Sequence, residues 1–169
     1  MQTEDTPTVI IRPAVPTDVP ALGRLGALLM RIHHDFDPQR FMAAPPNAES
    51  SYAAFLGGQL EKPNTIVLVA ELDSKVIGYG YAGVEGTDYM ALRGPAGMMY
   101  DLIVDPDHRG HGAGRMLIDA LLAALKARGA PRAVLSTAYL NTSAHPLFAR
   151  AGFRPTMIEM TRELDDDPS

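Results

Sequence analysis

The chain has 169 residues, 46 % hydrophobic and 21 % charged, with a formal net charge of −5; that size and balance fit one soluble domain over residues 1–169. No basic block is present, so no nucleic-acid partner is expected, and the absence of cysteine removes disulfides, thiolate metal sites and a cysteine nucleophile. The polar start (Met1 to Pro7) and the lack of any apolar run of membrane-span length make a cytoplasmic protein with no membrane partner the expectation.

In chain order, Thr8 to Arg12 reads as a short strand ended by Pro13. Thr17 or Asp18 is a candidate N-cap, with Pro20 in the first turn. Leu22, Leu25, Leu28, Leu29 and Ile32 then recur at helical spacing. His33 to Asn47, with three prolines, reads as irregular, and Glu49 to Leu60 as a second helix. Thr65 to Leu72 (TIVLVAEL) and Val76 to Val84 (VIGYGYAGV), joined by a turn at Asp73 to Lys75, predict a hairpin. Gly86 to Gly97 is a loop, and Met98 to Val104 (MMYDLIV) a third strand of this group. A helix from about Ala113 to Arg128 carries an apolar stripe of Leu117, Leu121, Ala124 and Leu125, and Gly129 stops it. Ala133 to Tyr139 reads as a strand, Ser143 to Ala151 as a short helix, Phe153 to Leu164 as a last strand and Asp165 to Ser169 as an acidic tail. This order predicts an α/β (α+β) domain: a mixed, mostly antiparallel sheet of about six to seven strands with helices on both faces.

The stretch after Met98 to Val104 carries the most chemistry. A strand runs into Arg109, Gly110, His111, Gly112, Ala113, Gly114 and Arg115, and then into a helix. Alternate glycines let the backbone bend tightly and approach a ligand with no Cβ in the way. The amides of residues 110–115 then gather at a helix N-terminus, where free donors and the helix dipole favour an anion such as a pyrophosphate. Arg109 and Arg115 add positive charge. Glycines alone also serve a plain strand-to-helix turn. The spacing is neither a Walker A loop, since no Gly-Lys-Ser/Thr follows, nor the opening glycine motif of a dinucleotide domain.

Residues 104–114 resemble the acetyl-CoA signature of GNAT N-acetyltransferases, Arg/Gln-x-x-Gly-x-Gly/Ala. Residues 141–153 (NTSAHPLFARAGF) are similar to the same family's Asn-x-x-Ala-x-x-Leu-Tyr-x-x-x-Gly-Phe segment. The resemblance implies a GNAT-like fold and an enzyme that moves the acetyl group of acetyl-CoA to a primary amine by direct attack in a ternary complex. It implies that Leu102, Ile103 and Val104 pair their backbone with the pantetheine arm. The amides of Gly110 to Arg115 would hold the pyrophosphate, with Asn141 and Phe148 near the cofactor's thiol end. The strands Met98 to Val104 and Ala133 to Tyr139 would splay apart to admit it. The acceptor would be a small-molecule or peptide amine, and a homodimer through Thr156 to Leu164 is an expectation of the same kind.

A lysine-like amine ionises near pH 10.4, so freeing its lone pair at pH 7 costs about 4–5 kcal/mol. A base, a donor for the carbonyl oxygen and an acid for the thiolate would each help. The family's usual acid is the tyrosine of the Leu-Tyr pair; Phe148 stands there in this chain. Tyr139 is the preferred replacement, with Tyr100 and His145 behind it. Some members place a glutamate five residues before the asparagine; that position is Ser136. Asp101 reads equally as a base or as a structural carboxylate, and Glu85 as an acceptor-facing or a solvated residue. His33, His34, Asp35 and Asp37 lie where the family lines its acceptor site. They do not complete a metal set, and Asp35 or Asp37 could select a cationic amine. A non-catalytic acyl-CoA-binding module and a nucleotide-phosphate binder remain alternatives.

Overall fold

The structure is a computed structural model and describes residues 7–165. Its strands are β1 (Ile10–Pro13), β2 (Thr65–Leu72), β3 (Lys75–Glu85), β4 (Ala96–Val104) and β5 (Ala133–Leu135). Its helices are α1 (Val19–Phe36), α2 (Ala48–Gly57), α3 (Ala113–Ala127) and α4 (His145–Arg150). One five-stranded sheet has the order β1-β2-β3-β4-β5. Neighbours are antiparallel except β4 and β5, which are parallel.

The unbroken apolar run of β2 follows from its position, because both faces of the sheet are covered. Ile66, Leu68 and Ala70 join Leu117, Ile118, Leu121 and Leu125 of α3 in one core. Val67 and Val69, on the opposite face, join Leu22 and Leu25 of α1 and Leu56 of α2 in the other, with Tyr79, Tyr81 and Ile103. Helices on both faces were expected from the order of strands and helices, and the two cores bear this out. The N-terminal corner is tied by charge: Arg12 donates to Asp18 at 2.7 and 3.0 Å and to Glu71 at 2.8 Å.

The sheet differs from expectation at its far edge. The strand expected over Phe153 to Leu164 does not form, and five strands replace the six to seven expected. β5 ends at Leu135 rather than Tyr139, so there is little edge for a further strand to pair with. Met157, Ile158, Met160 and Leu164 are exposed. Without a paired neighbour, their β propensity has no ladder to join. The tail beyond Asp165 lies outside the described residues.

Two shorter corrections matter for the site. α1 runs four residues past the expected boundary, to Phe36; no proline interrupts it before Pro38. α2 ends at Gly57 rather than Leu60, where the chain turns over residues 58–61. α1 and α2 touch closely. A Cβ on Gly26 would lie 2.2 Å from the Tyr52 ring, so only glycine lets that ring slide under α1.

Candidate active site

β4 pairs with β5 over Gly97, Met98 and Met99 alone. Past Met99 the two chains separate, and the β5-side edge of Tyr100 to Val104 faces no strand. Leu102, Ile103 and Val104 remain bonded to β3 on their other edge. This wedge contains a cavity of about 80 Å³ lined by His33, Tyr100, Asp101, Leu102, Ser136, Asn141 and Phe148, among others.

A bulge sets what faces the wedge. The β3–β4 register passes from Tyr81↔Asp101 to Ala82↔Met99, leaving Tyr100 as the extra residue. The alternation of β4 is broken there. Met99 stays with the α3-side core, while Tyr100 packs on Tyr81, a member of the α1-side core, at 4.8 Å between ring centroids. Asp101 also turns to that side and accepts the Tyr79 hydroxyl at 2.8 Å. Burial pushes the Asp101 carboxyl above the ordinary carboxylate range, against the opposing pull of the Tyr79 hydroxyl and nearby His33. Burial together with Asp101 drives Tyr79 far up, and Tyr52 up.

The glycine loop lies at the other end of β4. Asp105 ends the strand and accepts the Asp107 amide at 3.0 Å, which starts the turn Pro106–His108. Gly110 and Gly112 then adopt φ of +89° and +76°, with open space where a Cβ would be. The left-handed backbone there is what requires glycine. Gly112 caps α3 with no side-chain acceptor, so no cap side chain claims the first-turn amides. Arg109 and His111 are exposed beside them, while Ala113 is buried as the first residue of α3. Gly114 packs near Leu147 of α4. Arg115 is held by Asp119 at 2.9 Å and by the carbonyl of Arg150 at 3.2 Å, which ties α3 to α4. The loop offers main-chain donors with a cationic rim.

The structure places the expected catalytic residues apart. Asp101 and Tyr100 line the cavity with Asn141 and Phe148. Tyr139 does not line it and is 88 % exposed, because β5 ends four residues earlier. His145 donates its Nε2–H to the Ala138 carbonyl oxygen at 3.1 Å, outside the lining. Glu85 accepts the Tyr100 hydroxyl at 2.6 Å and pairs with Arg93 at 3.6 Å. It bounds the aromatic wall and does not enter the cavity. Asp37 is occupied by the amides of Gln39 and Arg40. Asp35 lies with His34, Arg31 and Glu49 on a separate groove of about 380 Å³.

His33, which sequence reasoning grouped with His34, Asp35 and Asp37 in the acceptor-lining region, is the one of those four that lines the cavity. It was read as part of an irregular segment, yet it rides on the last turn of α1. A helix extended to Phe36 continues the Leu25, Leu29, Ile32 stripe, and position 33 follows Leu29 by four residues. That spacing was the signal available. Among the described residues no cluster of three or more His, Asp or Glu could hold a metal ion, and no helix is long and apolar enough to cross a membrane.

Residues 29–153 match the model of the acetyltransferase (GNAT) family. A mycothiol acetyltransferase of Thermobispora bispora is 37 % identical over 96 residues, a stretch covering 54 % of this chain and 31 % of that protein. The chain therefore spans about a third of that relative's length. Among solved structures, a variant of the BH1408 protein from Bacillus halodurans superposes with a TM-score of 0.78 at 23 % identity, covering 92 % of this chain and 99 % of that one. An aminoglycoside N-acetyltransferase, AAC(6')-Iy in complex with CoA, superposes with a TM-score of 0.71 at 17 % identity, covering 98 % and 100 %. At those identities the structures establish the shared fold.

Proposed function

Because the chain belongs to the acetyltransferase (GNAT) family, we propose that it transfers the acetyl group of acetyl-CoA to a primary amine by direct attack in a ternary complex. The observation that carries this reading is the continuous track from the glycine loop, along the unpaired edge of β4, to the wedge cavity. Left-handed Gly110 and Gly112 present the amides of residues 110–115 to a pyrophosphate. Leu102, Ile103 and Val104 lend main-chain groups to the pantetheine amides, as a strand would. Asn141 and Phe148 flank the thioester. The amine approaches from the α1 side, where Asp101 waits.

The acetyl carbonyl carbon forms its new bond to the amine nitrogen, and the C–S bond to CoA breaks. The thiolate leaves past Phe148, which has no proton to give, so the thiolate takes its proton from solvent or from the attacking nitrogen, which becomes positively charged as it bonds to the acetyl carbon. Thiolate is a good enough leaving group for that. Asp101 is the carboxylate that docks the amine; Glu85 and the exposed Tyr139 lie further out, as second-rank candidates.

The test is thiol release from acetyl-CoA with a panel of primary amines, alongside calorimetry of CoA binding. Turnover with any amine supports the reading. Absence of a CoA binding heat, with Gly112→Val changing nothing, overturns it. A second reading, a non-catalytic acyl-CoA-binding module, draws on Phe148 and Ser136 in the wall, where the family's acid and base would stand; it predicts CoA binding with no turnover. We also propose a homodimer that buries the exposed Met157, Ile158, Met160 and Leu164. Sedimentation of the wild type against a Met157→Lys, Ile158→Lys double variant tests it: the wild type sediments as a dimer and the variant as a monomer.

A further inference from the structure

The geometry points to His33 as the side chain that takes the proton from the acceptor amine. This assignment rests on the acetyl-transfer reading above and gives a residue to the step that reading leaves open. Three observations carry it. First, His33 lines the same wedge cavity as Asp101, Asn141 and Phe148. Second, its Nδ1 lies 2.9 Å from the Leu29 carbonyl oxygen. A carbonyl can only accept, so Nδ1 carries the hydrogen and neutral imidazole keeps its lone pair on Nε2. Third, the ring is wedged edgewise against Phe36 and Phe41, with centroids 5.9 and 5.1 Å away, which fixes its plane.

Asp101 complements this arrangement without duplicating it. Its carboxylate already accepts the Tyr79 hydroxyl, and among the described residues no ion pair joins it to His33, so a substrate ammonium can sit between the two in the cavity they both line. The ammonium docks against Asp101. One N–H proton moves to Nε2 of His33, and the freed lone pair attacks the acetyl carbon. As the C–S bond breaks, the second proton lost from nitrogen goes to the thiolate, giving CoA thiol. The imidazolium then releases its proton to solvent. The sum is ammonium plus acetyl-CoA giving amide, CoA and one proton.

The groups that bear on His33 come from every neighbouring element. β4 supplies Asp101 and Tyr100. Tyr79 of β3 and Tyr52 of α2 stand beside Asp101. On the far side, Arg40 stacks 4.8 Å over Phe41 and is paired with Glu159, and His34 is held by the Phe41 carbonyl at 2.8 Å. Of these groups, Asp101 and Tyr100 share the cavity lining with His33.

The experiment uses the whole chain with spermidine, glycylglycine and a lysine-containing tetrapeptide as amine probes. Thiol release is followed against pH at saturating acetyl-CoA. The main variant is His33→Asn, whose amide nitrogen can keep the bond to the Leu29 carbonyl while supplying no base; His33→Gln is the second. Loss of a general base predicts a fall in kcat of about 10²-fold or more. It also predicts loss of the acid limb of the pH profile, with CoA affinity measured by calorimetry and the thermal midpoint both retained. If either folded variant keeps kcat within about threefold and the same acid limb, against the 10²-fold a base should contribute, the assignment to His33 is overturned and acetyl transfer stands. If the wild type binds CoA but acetylates none of the probes, the acetyl-transfer reading and this assignment fall together.

Discussion

Asp18 and Asp101 are both carboxylates drawn out of solvent, and their surroundings are opposite. Asp18, 6 % exposed, receives two guanidinium bonds from Arg12 and the Val15 amide at 2.8 Å. Arg12 pulls it below the ordinary carboxylate range, outweighing the effect of burial. Asp101 receives the hydroxyl of Tyr79, and burial raises it. The first carboxylate is fully paired and anchors the start of α1 to β1 and β2. The second has its burial cost only partly offset. Where charge holds the chain together, the fold completes the pair; in the wedge the carboxylate is the one against which we propose the amine docks.

The largest expected effect breaks the complete pair. Asp18→Ala leaves the Val15 amide without its acceptor and Arg12 with Glu71 as its remaining partner, and the loss of these charged hydrogen bonds should lower stability by about 3 kcal/mol, read from urea unfolding at pH 7. The pH dependence follows from the sign of the shift. Asp18 titrates lower when folded than when unfolded, so its contribution is present above the ordinary carboxylate range and is lost as pH falls through the folded value. Asp18→Asn should therefore flatten the acid limb of the stability profile. Asp101 has the reverse sign. Its folded value is raised, so its ionised form costs stability at neutral pH, and the cost disappears as pH falls through the folded value. Asp101→Asn should leave stability at pH 7 unchanged or raised, while acetyl transfer falls about 100-fold, or about 2.7 kcal/mol. If both variants lose similar stability, the contrast between the two carboxylates is wrong.

A third variant sharpens the setting of Asp101. Tyr52 stands near that carboxylate, and its ring fits under α1 because residue 26 has no Cβ. Gly26→Ala forces the ring or the helix to move, at a cost of about 1–3 kcal/mol. Thermal unfolding checks the stability, and the KM for the amine checks the geometry. A loss of stability with KM unchanged would detach Tyr52 from the site.

Much of this architecture was legible because its physical cause is local. β2 was placed at its observed bounds, since an eight-residue β-branched run leaves little choice. α3 was legible from its stripe and from Gly129. The glycine loop was legible because left-handed backbone selects glycine at 110 and 112. What failed depends on partners that periodicity cannot see. Residues 153–164 have strand composition but no ladder beside them, since β5 stops at Leu135. The same early stop leaves Tyr139 in solvent, which the strand pattern could not foretell. The bulge at Tyr100 was equally hidden: one extra residue turns Tyr100 and Asp101 to the same face, and only the β3 register reveals it. His33 was expected near the acceptor but in irregular chain, because Pro38 and the prolines after it suggested an earlier helix end than Phe36.

The smallest expected effect lies away from both carboxylates and separates the cofactor from the acceptor. Gly112 caps α3 at φ +76° with nothing crowding it, so a substitution there meets backbone strain and no clash. Gly112→Ala should cost about 1 kcal/mol in stability, Gly112→Asn less, because asparagine visits the left-handed region more readily, and Gly112→Val more. Affinity for CoA should fall in the same order, since each step away from the left-handed region turns an amide away from the pyrophosphate. For Ala the loss of one hydrogen bond to a charged group is about tenfold. The KM for the amine at saturating acetyl-CoA should stay constant throughout the series, because the wedge around Asp101 is untouched. A series in which CoA affinity tracks side-chain volume rather than left-handed tolerance would mean that space above the loop, and not the direction of its amides, is what the cofactor needs.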